Sequence, residues 1–229
     1  MSEFNLMSLL YKFRPAEPLS YLIDILLEQR LYCSKYEELN DPFEGQFIEE
    51  ILDTPELRMA MYAVAKTGLG FSPTNKPISR MMKSVTDLPM SKHDDLRICS
   101  LTSTLCDVRM WSLYASGHKG VAFELDFSGL DINAHQVIYE PALKKWSTTL
   151  MGAPSAEQVL TRKTEHWTYE QEYRIFARDE YVSVANRIRR VILGARATPM
   201  LENLVRRLAG EQVEVVRASL DVDGVRIPN

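Results

Sequence analysis

Two carboxylates one residue apart, Glu170 and Glu172, lie in the stretch Trp167-Thr168-Tyr169-Glu170-Gln171-Glu172-Tyr173-Arg174-Ile175-Phe176 and lead straight into an apolar run. If Glu172 opens a β-strand, alternation puts Glu170, Glu172 and Arg174 on one face and Tyr173 with Ile175 on the other. Like charges at that spacing repel unless a cation, a donor or a substrate hydroxyl holds them. Arg174 is placed to supply that charge. The plain alternative is a solvated carboxylate pair on a strand face, as most E-x-E sequences are. Trp167, Tyr169 and Tyr173 distinguish this one, because aromatic walls around a few polar groups are what a ligand cleft needs. Paired carboxylates there suit proton transfer or the stabilisation of a cationic transition state.

Other polar clusters carry weaker signals. Asn40-Asp41-Pro42-Phe43-Glu44-Gly45 has the residue types of a tight turn, with Asp41 or Glu44 as a site residue the functional alternative. His118, in Gly117-His118-Lys119-Gly120, is expected to be exposed or to cap a turn. Arg187, Arg189, Arg190, Arg206 and Arg207 are interspersed with acids and read as a solvated face. Cys33, Cys99 and Cys106 are an odd number without C-x-x-C spacing, so reduced thiols are expected and a structural zinc site is not. No export signal and no membrane-length apolar run is evident, which together with the thiols implies a cytoplasmic protein. A net charge of -4 argues against a broad nucleic-acid footprint.

At 229 residues with 45% hydrophobic content the chain can bury a full core. Strands are expected at 9–13, 97–102, 121–127, 172–177, 190–194 and 212–218, with a short one at Arg30–Ser34. A helix over 19–28 carries the stripe Leu19, Leu22, Ile23, Leu26 and Leu27. Thr54-Pro55-Glu56 starts a second helix, and a further helical stretch from Ile78 to Val85 completes a methionine-rich insertion at about 54–90. Helices are also expected at 110–115, before Lys163 and Trp167, and at 199–208. The fold class is α+β: a single domain over 1–229, with a mixed central β-sheet, flanking helices and that helical insertion.

Four motifs occur in order: Leu10-Tyr11-Lys12-Phe13-Arg14; Asn40-Asp41-Pro42-Phe43-Glu44; Met110-Trp111-Ser112-Leu113-Tyr114-Ala115 with His118-Lys119-Gly120-Val121; and Trp167 to Arg174. The series resembles the uncharacterised bacterial family catalogued as domain of unknown function 2971, over roughly 9 to 220. A second resemblance is to ADP-ribosyltransferase folds. Those present a His, Arg or Tyr on a first strand, a Ser-Thr-Ser-like run at the end of a later one, and a Q-x-E or E-x-E at the entrance to another. Tyr11 or Arg14, Ser100-Leu101-Thr102-Ser103 and Glu170-Gln171-Glu172 occupy those places.

That second resemblance implies an NAD-cleaving enzyme, a transferase or glycohydrolase, with a toxin or phage-defence effector as its setting. Glu172 and Glu170 would be catalytic. Tyr11, Arg14, Ser100, Thr102, Ser103, Trp111 and Tyr114 would contact NAD: Arg14 on a phosphate, Ser100 and Thr102 bracing ribose and Glu172, Tyr11 or Trp111 stacking on nicotinamide. The acceptor would be a protein or a nucleic acid. Two rival readings come from other classes. One is a non-catalytic interaction module of a toxin–antitoxin or defence system, with a protein partner for the Trp and Met residues. The other is a magnesium-dependent nuclease using Asp41, Glu44, Glu170 and Glu172, against which stands the lack of a lysine near the acidic pair in sequence.

Overall fold

The computed structural model describes residues 9–50, 59, 63, 81–88, 95–128, 134–147 and 154–228. The fold is α+β, built on a mixed sheet. In chain order it begins with β1 (Leu9–Arg14), α1 (Ser20–Leu26), β2 (Arg30–Tyr32), β3 (Ser34–Lys35), β4 (Gln46–Glu50) and β5 (Met81–Ser84). β6 (Arg97–Thr102), α2 (Val108–Tyr114), β7 (Val121–Asp126), β8 (Ala134–Gln136), β9 (Ile138–Glu140) and β10 (Lys145–Ser147) follow. Then come α3 (Ala156–Leu160), β11 (Arg162–Thr164), a 3-10 turn at Glu165–Glu170, β12 (Glu172–Ala177), β13 (Tyr181–Ser183) and β14 (Ile188–Leu193). α4 (Pro199–Ala209), β15 (Glu214–Arg217), β16 (Ser219–Asp221) and β17 (Gly224–Arg226) complete the described chain.

The strands expected to share a sheet do so, in the order β15-β14-β7-β1-β6-β12-β8, with β3 also on β6. Every neighbour is antiparallel except β14 and β15, whose parallel pairing needs the crossover that α4 supplies. Alternation along the strands sorts the core onto two faces. Leu10, Cys99, Leu101, Phe123, Leu125, Ile175, Val191 and Leu193 bury one face under α1 and α4. On the other face the apolar packing is divided. Phe13, Met110, Trp111, Ala122 and Ile192 form one cluster around α2, and Phe47, Val85, Ile98, Val159 and Leu160 form another around α3 and β4.

β1 and β6 are sheet neighbours whose ladder has one paired position, Tyr11 opposite Thr102. By contrast β1 pairs with β7 along its whole length, from Leu9–Asp126 to Arg14–Val121. Beyond Tyr11 the sheet therefore splits, in line with the gap between the two apolar clusters. Gly120 helps hold β1 at the split, since a Cβ there would lie 2.2 Å from the Arg14 carbonyl oxygen.

Several local expectations change in the structure. α1 is only two turns long and buries Leu22, Ile25 and Leu26, while Leu19, Ile23 and Leu27 are exposed. A helix this short has one face on the sheet, and the wider stripe exceeds it. Met81–Ser84, expected to be helical, is a strand paired antiparallel with β4 from Gln46–Ser84 to Glu49–Met81, so tertiary pairing overrides local pattern there. The rest of the expected insertion lies outside the described residues except for Met59, Ala63 and the stretch 81–88; the first two are helical. Lys163 comes on the short strand β11 and Trp167 on a 3-10 turn, not on the helix expected to deliver them. His118 is buried at a left-handed turn position, stacked on Trp111 with ring centroids 6.2 Å apart, not exposed. The three thiols are free.

Candidate active site

The split between β1 and β6 holds a cavity of about 240 Å³. Its lining includes Tyr11, Lys12 and Arg14 from β1, Ser100 and Thr102 from β6, Tyr114 from α2, Asn40, Lys163, Glu170 and Glu172. By alternation Lys12 and Arg14 belong to the α1 face of the sheet, and Ser100, Thr102 and Glu172 to the opposite face. Both sets reach the same cavity because it lies in the opening of the sheet.

Alternation on β12 places Glu172 and Arg174 side by side across from Thr102 and Ser100. Glu170 arrives differently from expectation. It ends the 3-10 turn, and Gln171, at φ 42°, reverses the chain into β12, so the two carboxylates meet at a corner and not along a strand. Thr102 Oγ donates to the Glu170 carbonyl and accepts from the Thr104 N–H, which pins that corner to β6.

Five buried charges interlock beneath the cavity. Arg174, wholly buried, donates from Nε and Nη2 to Glu172 at 2.8 and 3.0 Å, and from Nη1 and Nη2 to Glu44 at 2.6 and 2.9 Å. Lys163 Nζ lies 2.6 Å from Glu170 and 2.9 Å from Glu172. Tyr114 donates its hydroxyl proton to Glu170 and accepts from Asn40 Nδ2 at 2.6 Å. The Glu172 N–H donates to the Tyr139 hydroxyl at 2.9 Å. Buried charges are tolerated only when paired and hydrogen-bonded, and these are.

The environments push the two carboxyls apart. For Glu172, burial opposes ionisation, but Arg174 and Lys163 outweigh it and bring its pKa to about 2. For Glu170, burial raises the pKa; Lys163 opposes this, while the charge of Glu172 adds to it, and the net shift is upward. Burial and the Glu170 charge also raise Tyr114. Burial and the neighbouring Arg14 lower Lys12 to about 8.

Of the residues expected at a site, Tyr11, Arg14, Ser100, Thr102, Tyr114, Glu170 and Glu172 line this cavity. Two do not. Trp111 is wholly buried against Phe13 and donates Nε1 to the Leu105 carbonyl at 2.7 Å, so its ring belongs to the core. Ser103 sits at the bend after β6 with Oγ on Gln171 Oε1, 3.2 Å away. Sequence reasoning missed Lys12 and Lys163 as members and offered Glu44 only as the alternative to a turn role. The lysine thought lacking near the acidic pair is Lys163, only seven positions upstream of Glu170, and it pairs with both carboxylates. Asp41 keeps its turn role, accepting from the Phe43 N–H at 2.9 Å. With Glu44 and Glu172 bound to Arg174, the acids do not form an open set of oxygen ligands. Among the described residues no group of three or more His, Cys, Asp or Glu is placed to hold a metal ion.

Residues 110–175 match the model of a protein family of unknown function, DUF2971. The matched stretch runs from α2 into β12 and so contains Tyr114, Lys163, Glu170, Glu172 and Arg174. The motifs around Tyr11 and Asn40 fall outside it. No curated protein and no solved structure matches the chain. Among the described residues no helix is long and apolar enough to cross a membrane.

Proposed function

We propose that the chain is a cytoplasmic enzyme that cleaves NAD at the nicotinamide–ribose bond and passes the ADP-ribosyl group to water or to a macromolecular acceptor. The observation that carries this reading is the pair of carboxylates on one cavity with opposed proton affinities, Glu172 held ionised and Glu170 raised. Adjacent titratable groups whose pKa values are driven apart by their surroundings suit one group to charge stabilisation and the other to proton transfer. Tyr11, Arg14, Ser100 and Thr102, drawn from distant parts of the chain, line the same cavity and support it.

The chemistry follows from those charges. As the glycosidic C–N bond breaks, its electron pair leaves with nicotinamide and positive charge develops on the ribose, as in glycoside cleavage. A carboxylate has about four acceptor positions. Glu172 spends three of them on Arg174 and Lys163 and the fourth on the Ser100 hydroxyl, so it acts through its fixed negative charge, which stabilises the cation across the cavity. Glu170, with acceptor capacity left beside Tyr114 and Lys163, takes the proton from the nucleophile that attacks the anomeric carbon. A cavity of about 240 Å³ is smaller than the roughly 300–1,000 Å³ that encloses a drug-sized ligand, so it holds the reacting sugar and its neighbour while the rest of the dinucleotide extends outward.

The test is incubation of the purified protein with NAD labelled in the adenylate and nicotinamide moieties, alone and with cell extract. Nicotinamide release, with or without label transfer, is expected. Glu170→Gln should lower the rate by about a hundred- to a thousand-fold, the usual cost of losing such a group. No release under either condition, or a Glu170→Gln rate equal to the parent's, overturns the proposal.

A further inference from the structure

We infer that Lys12 and Arg14 form a binding subsite for a doubly charged phosphate group, a diphosphate or a phosphomonoester, in the split of the sheet. Lys12 and Arg14 are two positions apart on β1, so they project to the same face and both line the cavity. Their surroundings differ from those of Lys163 and Arg174. Those two cations are covered by Glu44, Glu170 and Glu172, whereas no carboxylate among the described residues lies within ion-pair distance of Lys12 or Arg14. Lys12 Nζ makes one hydrogen bond, to the Ser100 carbonyl at 2.6 Å, and an ammonium has three donors. Arg14 stacks its guanidinium over Tyr21, 4.7 Å from the ring centroid, and its buried Nε has no partner among the described residues. The Ser100 hydroxyl is on the opposite face of β6, where it helps hold the Glu172 carboxylate ionised, so Ser100 meets Lys12 through its carbonyl alone.

Buried donors and cations left unmatched are costly in a folded chain, and a ligand that supplies acceptors and negative charge removes that cost. Two adjacent cations match the several oxygens and double charge of a phosphate group better than a single carboxylate. The acidic residue at the rim, Glu38, is engaged by the Tyr32 hydroxyl and the Lys35 N–H, which holds it away from Lys12 and Arg14. The inference rests on the cavity being a ligand site, as in the reading above, but not on any cleavage step. Under that reading the group held is the diphosphate of the dinucleotide.

Inorganic diphosphate is the probe, measured by thermal shift and calorimetric titration at pH 7 on the full chain. Saturable binding with a raised melting temperature is expected. Lys12→Gln and Arg14→Gln should each weaken it by about tenfold or more, while Glu170→Gln should leave it in place. Because a β1 variant can fail to fold, the parent protein provides a second readout. Acetylation of Lys12, followed by peptide mass spectrometry, should be suppressed by diphosphate and not by chloride at equal ionic strength. Absence of binding, binding indifferent to both β1 variants, or Lys12 labelling unchanged by diphosphate each overturns the inference. Diphosphate binding that depends on Lys12 without nicotinamide release leaves the subsite standing and removes the NAD reading. Nicotinamide release without diphosphate binding does the reverse.

Discussion

Glu172→Gln puts the buried charge cluster under direct strain. The side chain keeps its shape, and its amide oxygen can still accept from Arg174 Nε, but the negative charge facing Arg174 and Lys163 is gone. In the fold its carboxyl drops from 4.5 to about 2. At roughly 1.4 kcal/mol for each tenfold change in proton affinity, that is about 3 kcal/mol in favour of the ionised native side chain. Breaking one partner out of a buried ion pair costs a similar amount, about 3–5 kcal/mol. For a chain of this length, about 3 kcal/mol corresponds to a melting temperature lower by roughly 6–12 °C. The pH dependence has a definite sign. A depressed native pKa contributes stability that is full above 4.5, the unfolded value, and is lost as the pH falls towards 2. The gap between parent and variant should therefore be widest at neutral pH and narrow steadily below about 4.5. Circular-dichroism melts of both proteins from pH 7 down to pH 3 measure it. A variant that melts within a degree of the parent at pH 7, or a gap that widens in acid, refutes the assignment of Glu172 as a charge held by Arg174 and Lys163. Turnover per folded molecule, taken well below the melting temperature, separates this structural role from the proposed catalytic one.

Lys12 should act in the opposite sense. It faces Arg14, which disfavours its charge, and Cys99, Cys33 and Glu172, which favour it, with burial the largest influence; its pKa falls from 10.5 to about 8. A lowered lysine destabilises the fold below pH 8, and the penalty fades as the pH rises towards 10.5, so the melting temperature of Lys12→Met relative to the parent should decline across pH 8–10; a constant difference there refutes the burden. Gly120→Ala forces a Cβ to 2.2 Å from the backbone oxygen of Arg14, and because backbone cannot swing aside the loss should reach the upper part of the roughly 1–3 kcal/mol range for overpacking, read from a denaturant midpoint. A midpoint equal to the parent's would show that β1 is not held where the split requires. Trp111→Ala should cost about 3–5 kcal/mol of stability, while diphosphate affinity of the folded fraction stays at the parental value; selective loss of affinity would return Trp111 to the ligand site.

Much of the frame was legible from local pattern. Alternation located β6, β7 and β12 to within a residue, because a half-buried strand must repeat its apolar side chains every second position, and the same rule put Glu172 beside Arg174. Tyr11, Arg14, Ser100 and Thr102 came into consideration through the resemblance to ADP-ribosyltransferase folds. What alternation cannot express is distance in space. Glu44 clamps Arg174 from 130 positions away, inside a hexapeptide whose turn chemistry already accounted for its composition. Lys163 reaches both carboxylates because β11 pairs with β9 and the 3-10 turn folds back, neither of which has a sequence signature. Trp111 looked like a stacking platform, yet the packing of α2 against β1 turns it inward, and residue type alone does not choose between those fates. Sequence by itself determined which residues could bear charge and which faces they would share. Tertiary structure alone decided that β1 and β6 part after one pair, and that parting makes the cavity and leaves Lys12 and Arg14 without a carboxylate at ion-pair distance among the described residues.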